Sequence, residues 1–229
     1  MCTYDLDQIS KILLIDKPKA WTSFDVVKKI RGLVKKKYNL QKIKVGHTGT
    51  LDPLATGLLV LCIGKKTKNI KNLEVLEKEY VATIKLGCIT DSFDGETAEK
   101  EHKTYVNLSE LEIENALLAF HGPIQQIPPI FSAIKVKGER LYQKARRGEK
   151  NIALKKRSVT ILDIKLESIN LPLVKFTVKC SKGTYIRSLA HDIGQKLNCG
   201  AYLYELRRVS VGQYNIENAQ SINDILDSL

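Results

Sequence analysis

The hydrophobic positions along the chain fall into short blocks of contrasting period. Residues 11–15, Lys-Ile-Leu-Leu-Ile, form an apolar run of strand length. After it, Val27, Ile30, Val34 and Tyr38 recur at helical spacing, with Thr22 or Ser23 placed to cap that helix. From Lys78 to Gly87 the period changes to two: Tyr80, Ala82, Ile84 and Leu86 share one face, and Val81, Thr83 and Lys85 the other. Tyr80 therefore points with the core. A second alternation sets Val174, Phe176, Val178 and Cys180 against Lys175, Thr177 and Lys179. Ser109-x-x-Glu112 is a capping box ahead of Ile113, Ala116, Leu117 and Phe120. Ile186, Leu189, Ala190, Ile193 and Leu197 mark a further helix whose first turn contains Tyr185 and Arg187. Between these two helices, Pro123, Pro128 and Pro129 force an extended crossing. Some strands lie too close in sequence for uniform strand-helix-strand crossovers. The pattern predicts an α+β fold, a mixed, largely antiparallel sheet flanked by helices.

Length and composition narrow the class. At 229 residues, with no low-complexity stretch and no repeat, a single domain over 1–229 is expected. The longest apolar run, Leu58 to Ile63, is far shorter than the roughly 20 residues that span a bilayer. The N-terminus has no basic segment followed by an apolar one, so a cytoplasmic protein is expected. Five scattered cysteines without a Cys-x-x-Cys pair read as reduced packing residues. The four histidines have no partner at metal-ligand spacing, so no metal is expected. Gly64-Lys65-Lys66-Thr67 lacks the first glycine of a phosphate-binding loop, since Leu59 stands there, and no dinucleotide-binding or serine-hydrolase motif occurs.

Charge points to a polyanion. The net charge is +12, and ten basic residues lie between Lys135 and Arg157 against two acids, Glu139 and Glu149. Such a segment is expected to neutralise nucleic-acid phosphates through residues such as Arg146 and Arg147, with Lys35-Lys36-Lys37, Lys65-Lys66 and Arg207-Arg208 extending the track. A basic amphipathic helix with large apolar residues opposite, as membrane-surface binding would require, does not stand out.

The chemistry concentrates in one loop. Gly46-His47-Thr48-Gly49-Thr50-Leu51-Asp52-Pro53-Leu54-Ala55-Thr56-Gly57 carries three glycines and a proline around a single aspartate. This loop resembles the catalytic loop of the TruB-type tRNA pseudouridine synthases. Further blocks match in the same order: Asp16-Lys17-Pro18, Lys78-Glu79-Tyr80, residues 126–135 (Gln-Ile-Pro-Pro-Ile-Phe-Ser-Ala-Ile-Lys), and Lys182-Gly183-Thr184-Tyr185-Ile186-Arg187.

The resemblance implies an enzyme that isomerises the uridine at position 55 in the TΨC arm of tRNA to pseudouridine, without cofactor or metal. It implies Asp52 as nucleophile, Arg187 as the cation paired with it, and Tyr80 as the ring stacked on the uracil. His47 would fill the place of the flipped base, Tyr185 and Leu206 would contact the target nucleotide, and Lys17 would support the floor of the site. The partner is the T-arm stem-loop of tRNA, with no membrane and no obligate protein partner, and a monomer is expected. Ala20 stands where the family usually has glycine, which predicts a turn without positive φ there. Bacterial members generally carry a C-terminal PUA-type RNA-binding domain; the sequence ends at Leu229, so a catalytic domain without it is expected. A non-catalytic RNA-binding or RNA-folding protein on the same scaffold is the alternative, and the presence of Asp52 and Arg187 favours catalysis.

Overall fold

The computed structural model describes residues 9–132, 134–136, 138–149 and 154–225. Cys2, Ala133, Lys137 and Lys150, each used in the sequence reading, lie outside them. In chain order the principal elements are β1 (Ile12–Lys17), α1 (Ser23–Lys37), β2 (Val45–His47), β3 (Thr56–Ile63), α2 (Ile70–Glu74), β4 (Lys78–Leu86), α3 (Glu110–Leu118) and β5 (Gly122–Gln126). There follow β6 (Lys135–Val136), β7 (Glu139–Arg140), α4 (Leu141–Arg146), β8 (Arg157–Asn170), β9 (Leu173–Cys180), α5 (Ile186–Lys196), β10 (Ala201–Val211) and β11 (Tyr214–Asn215). The pairing is mixed and largely antiparallel, as the pattern predicts. The chain forms two compact units, one of residues 1–80 with 206–229 and one of residues 81–205. No helix among the described residues is long and apolar enough to cross a membrane.

In the first unit β3 is the central strand. It pairs antiparallel with β1 and β2, and parallel with the end of β10 through Arg207 opposite Thr56 and Arg208 opposite Gly57. Both faces of β3 are covered, which is why its sequence is a continuous apolar run and does not alternate. Leu59, Leu61 and Ile63 pack with Val26, Ile30 and Val34 of α1, while Leu58 and Val60 pack with Val211. Thr22, not Ser23, caps α1: its hydroxyl accepts from the Asp25 amide and the Asp25 carboxylate reaches back, a complete capping box.

In the second unit β8 pairs antiparallel with β9 on one side and β5 on the other. The alternation read for residues 174–180 is realised, with Val174, Phe176, Val178 and Cys180 all buried. The Ser109–Glu112 capping box starts α3, whose Ile113, Ala116 and Leu117 turn inward. Cys62, Cys88, Cys180 and Cys199 are buried, the packing role expected of them.

One local expectation fails. Ala20 has φ +68°, in the left-handed region, because its amide must turn to donate to the Pro53 carbonyl at 2.8 Å. The alanine therefore carries a steric cost of about 1–2 kcal/mol that glycine would not. Part of that gain would be offset by the freer unfolded chain of glycine, about 0.4–1 kcal/mol. With a mid-range net gain of about 0.8 kcal/mol, Ala20→Gly is expected to raise the melting temperature by about 2–3 °C in thermal unfolding. An unchanged or lower midpoint would show that the turn tolerates alanine without strain.

Candidate active site

The Asp52 loop is built on β1, the start of α1 and β3. Ser23, in the first turn of α1, is buried, and its hydroxyl accepts from the Leu51 amide at 2.8 Å and donates to the Leu51 carbonyl at 3.0 Å. Leu51 is thereby fixed in position, and its side chain is buried. Asp52 follows half-buried, and its own carbonyl accepts from the Ala55 amide at 3.1 Å to close a turn. Pro53 sets the extended backbone of the residue before it.

Two buried cations grip this loop through its carbonyls. Lys17, with no exposed surface, donates to the carbonyls of Trp21 at 2.7 Å, Pro18 at 2.9 Å and Pro53 at 3.4 Å. Arg208, 2% exposed, donates through Nε to the Leu58 carbonyl at 2.7 Å and through Nη2 to the Gly49 carbonyl at 3.0 Å. One guanidinium thus clamps both ends of the stretch 49–58. Gly57 makes this approach possible: at φ +99°, a Cβ there would lie 2.3 Å from the Arg208 carbonyl oxygen.

Burial pushes the Lys17 ammonium down to about 8; the Asp52 carboxylate opposes that shift and the Arg208 charge adds to it. The attraction between Lys17 and Asp52 equally favours a charged carboxylate at this place. His47, at the end of β2, is half-buried, and burial first, then Arg208, lowers its pKa. Its Nδ1 accepts from the Gly49 amide at 3.3 Å, which places the ring proton of the neutral form on Nε2. Tyr80 is buried at 8% exposure on the inward face of β4, and Leu206 is half-buried, its carbonyl accepting from the Thr56 hydroxyl at 3.4 Å.

Tyr185 and Arg187 belong to the second unit. The Gln126 side chain is buried and holds the Tyr185 backbone twice, accepting from its amide at 3.0 Å and donating to its carbonyl at 3.2 Å. Tyr185 is thus the N-cap of α5, one residue ahead of the helix, with a half-buried side chain. Arg187 is buried; its guanidinium donates to the Ser92 carbonyl at 3.2 Å and the Phe131 carbonyl at 3.0 Å, and lies 3.4 Å from the Asp94 carboxylate. Asp94 sits on a loop tied internally by the Thr90 and Ser92 hydroxyls, both donating to its carbonyl, and by Phe93 stacked on His191 at 4.1 Å.

Residue spacing carries no signal for the structural roles of Arg208, Ser23, Gln126 and Asp94. Arg207-Arg208 was assigned to an exposed phosphate track, but Arg208 is buried and Arg207 is engaged with both oxygens of Asp16, at 3.0 and 2.7 Å. A period-two count along β10 would not have found Arg208, because its burial depends on the parallel neighbour β3. Spacing also missed a cluster in which the donor atoms of Cys88, Glu99 and His102 lie within 4.8 Å of one another. Glu99 is already engaged there by Lys85 and the Tyr202 hydroxyl, each at 2.7 Å.

Known proteins match this chain over most of its length. Residues 35–186 match the N-terminal domain of the TruB family of pseudouridylate synthases, and residues 187–229 match the tRNA pseudouridylate synthase B C-terminal domain. A tRNA pseudouridine synthase B of Chloroherpeton thalassium is 49% identical over 96% of this chain and 90% of its own length. Another, from Clostridium kluyveri, is 46% identical over 95% of this chain and 72% of its own. Among solved structures, a Cbf5-Nop10-Gar1 complex contains a chain that superposes with a TM-score of 0.72 at 31% identity, covering 98% of this chain and 56% of the other. An H/ACA RNP bound to a substrate RNA containing 2'-deoxyuridine gives 0.69 at 29% identity, over 97% of this chain and 54% of that one.

The depressed Lys17 pKa has a signed consequence for stability. Between about 8 and the unfolded value of 10.5 the unfolded chain holds the proton that the folded chain has lost. Raising pH across this window therefore favours the fold, by up to about 1.4 kcal/mol per pH unit. Urea unfolding of wild type and Lys17→Met at pH 8 and pH 10 isolates this contribution from the tyrosines and cysteines, which both proteins share. Wild-type stability minus that of the variant should increase with pH; a difference that is flat or falls would contradict the depressed pKa.

Proposed function

The chain belongs to the TruB family of pseudouridylate synthases and converts uridine in tRNA to pseudouridine; from that premise we propose that its target is the uridine at position 55 in the T arm, flipped into a site where Asp52 acts as nucleophile. The N1–C1′ glycosidic bond breaks, the uracil turns, and C5 bonds to C1′. The C5 proton is lost and N1 gains one, so atoms and oxidation state are conserved. Asp52 serves either by adding to C1′ or by promoting a glycal, and both routes require an ionised carboxylate. The observation that carries this reading is the fixed backbone on both sides of Asp52, with the Lys17 ammonium acting on its charge.

The other roles follow the matched motifs. Arg187 is the cation that keeps Asp52 charged once the base pocket excludes water. Tyr80 stacks on the uracil and assists loss of the C5 proton, and Tyr185 and Leu206 contact the target nucleotide. Extruding a base costs a few kcal/mol of lost stacking. His47 offsets part of that by occupying the vacated place, and its lowered pKa suits it to enter a base stack uncharged.

The decisive assay is tritium release from 5-³H-uridine in a T-arm transcript under single-turnover conditions with EDTA present. Wild type should release label. Asp52→Asn keeps the side-chain size and should bind the RNA comparably while releasing none. Release by the Asn variant at the wild-type rate would refute Asp52 as nucleophile, and a wild type that binds but never releases label would favour the RNA-folding alternative.

A further inference from the structure

Part of the segment richest in basic residues is already occupied by acids of the protein itself. Between Lys135 and Arg157, Lys144 and Arg147 are both engaged by Glu139 and Glu149, and Arg146 pairs with Glu96 at 2.6 Å and lies over the Tyr142 ring. Three acids thus offset three of the cations the sequence assigns to RNA.

The first unit presents a different surface. A groove of about 540 Å³ opens between α1, residues 41–46 and α2, and Arg31, Lys35, Lys42 and Lys44 line it. No acidic side chain contributes to its walls. Among the described residues Lys35, Lys42 and Lys44 form no ion pair, and the latter two are exposed. Arg31 is held in place by donating to the Val45 carbonyl at 3.2 Å. The recessed floor is apolar, from Ile43, Val45 and Ile70; a Cβ on Gly46 would meet Ile70 Cδ1 at 2.7 Å, so glycine lets Ile70 close that floor.

Four cations facing one concavity repel one another, and an anion brought among them removes that repulsion. The groove leads into β2, two residues and about 7 Å before His47. We propose that this groove binds the phosphodiester backbone of the substrate RNA as the strand leaves the site at His47. The proposal rests on the reading of the protein as a tRNA-modifying enzyme and adds a phosphate-binding surface to it. An anionic membrane is the weaker match, because a membrane surface needs projecting apolar anchors and the apolar residues here lie at the bottom.

The test is a triple variant, Lys35→Gln/Lys42→Gln/Lys44→Gln, which changes two exposed side chains and one half-buried one, none in an ion pair among the described residues, and should leave thermal unfolding within about 2 °C of wild type. Fluorescence anisotropy with a tRNA transcript between 50 and 200 mM KCl measures affinity and its salt dependence. Each lost phosphate contact should reduce the slope of log K against log salt by up to about one, so the triple variant should lose about two and bind at least about tenfold more weakly at the low-salt end. Arg146→Gln/Arg147→Gln should change the slope by less than about half a unit. At saturating RNA the single-turnover release of label should stay within about twofold of wild type, because no residue altered belongs to the Asp52 loop. A wild-type slope and affinity in the triple variant would overturn the proposal. So would loss of binding to phosphatidylserine vesicles with RNA affinity intact. Binding is read separately from turnover, so a wild type that releases no label would refute the catalytic reading while the slopes still decide the groove.

Discussion

Two buried cations that spend their hydrogen bonds on backbone carbonyls determine the shape of the Asp52 loop. Removing an ammonium and a guanidinium from water is costly unless polar groups replace the lost hydration. Here the replacements are the carbonyls of Pro18, Trp21, Pro53, Gly49 and Leu58. The glycine-rich loop supplies two of them, Gly49 and Pro53, and is held through them to the turn at Pro18–Trp21 and to β3. Lys17, which holds the Pro53 carbonyl, also interacts electrostatically with the Asp52 carboxylate. Evidence for this coupling is the opposing pull of Asp52 on the lowered Lys17 pKa.

The rest of the first unit serves this constraint. β3 is covered on both faces and carries the loop's end, so Leu58 and Gly57 cannot shift without disturbing the core. Parallel pairing with β10 delivers Arg208 to Gly57 at backbone contact distance. Ser23 adds a third fixed point from α1, whose N-terminus is itself set by the Thr22–Asp25 capping box. Ala20 accepts an unfavourable backbone so that its amide reaches Pro53. In the second unit Gln126 performs the equivalent service for Tyr185, supplying from a side chain the pair of hydrogen bonds that a neighbouring strand would give.

Much of this was legible in the amino-acid sequence, and the exceptions share a physical cause. Period and capping chemistry located α1, α3, α5, β4 and β9, because those elements bury one face and obey one repeat. The 14-residue strand β8 escaped, since its buried positions Val159, Ile161 and Ile164 do not keep a period of two: the register shifts between Ile161 and Asp163, and again between Leu166 and Ser168. The Asp52 loop was legible as a motif, whereas its clamp was not. Arg208 and Lys17 look like surface cations to any count of charge; strand pairing with Gly57 buries both, Lys17 from β1 and Arg208 from the distant β10. The same blindness exaggerated Lys135–Arg157, where Glu96 is distant in sequence and adjacent in space to Arg146.

Arg208 and Lys17 hold the Asp52 loop rigid before any RNA arrives. Native-state amide hydrogen exchange of the free protein tests it directly, because the Thr48, Leu51 and Ala55 amides have acceptors in Val60, Ser23 and Asp52. These three amides should open only with the first unit as a whole, with protection close to that of β3 amides in wild type. In Arg208→Gln all three should lose protection together, while amides of β8 and β9 keep theirs. Fast exchange of Leu51 and Ala55 in the wild-type protein, or unchanged protection in the variant, would contradict it.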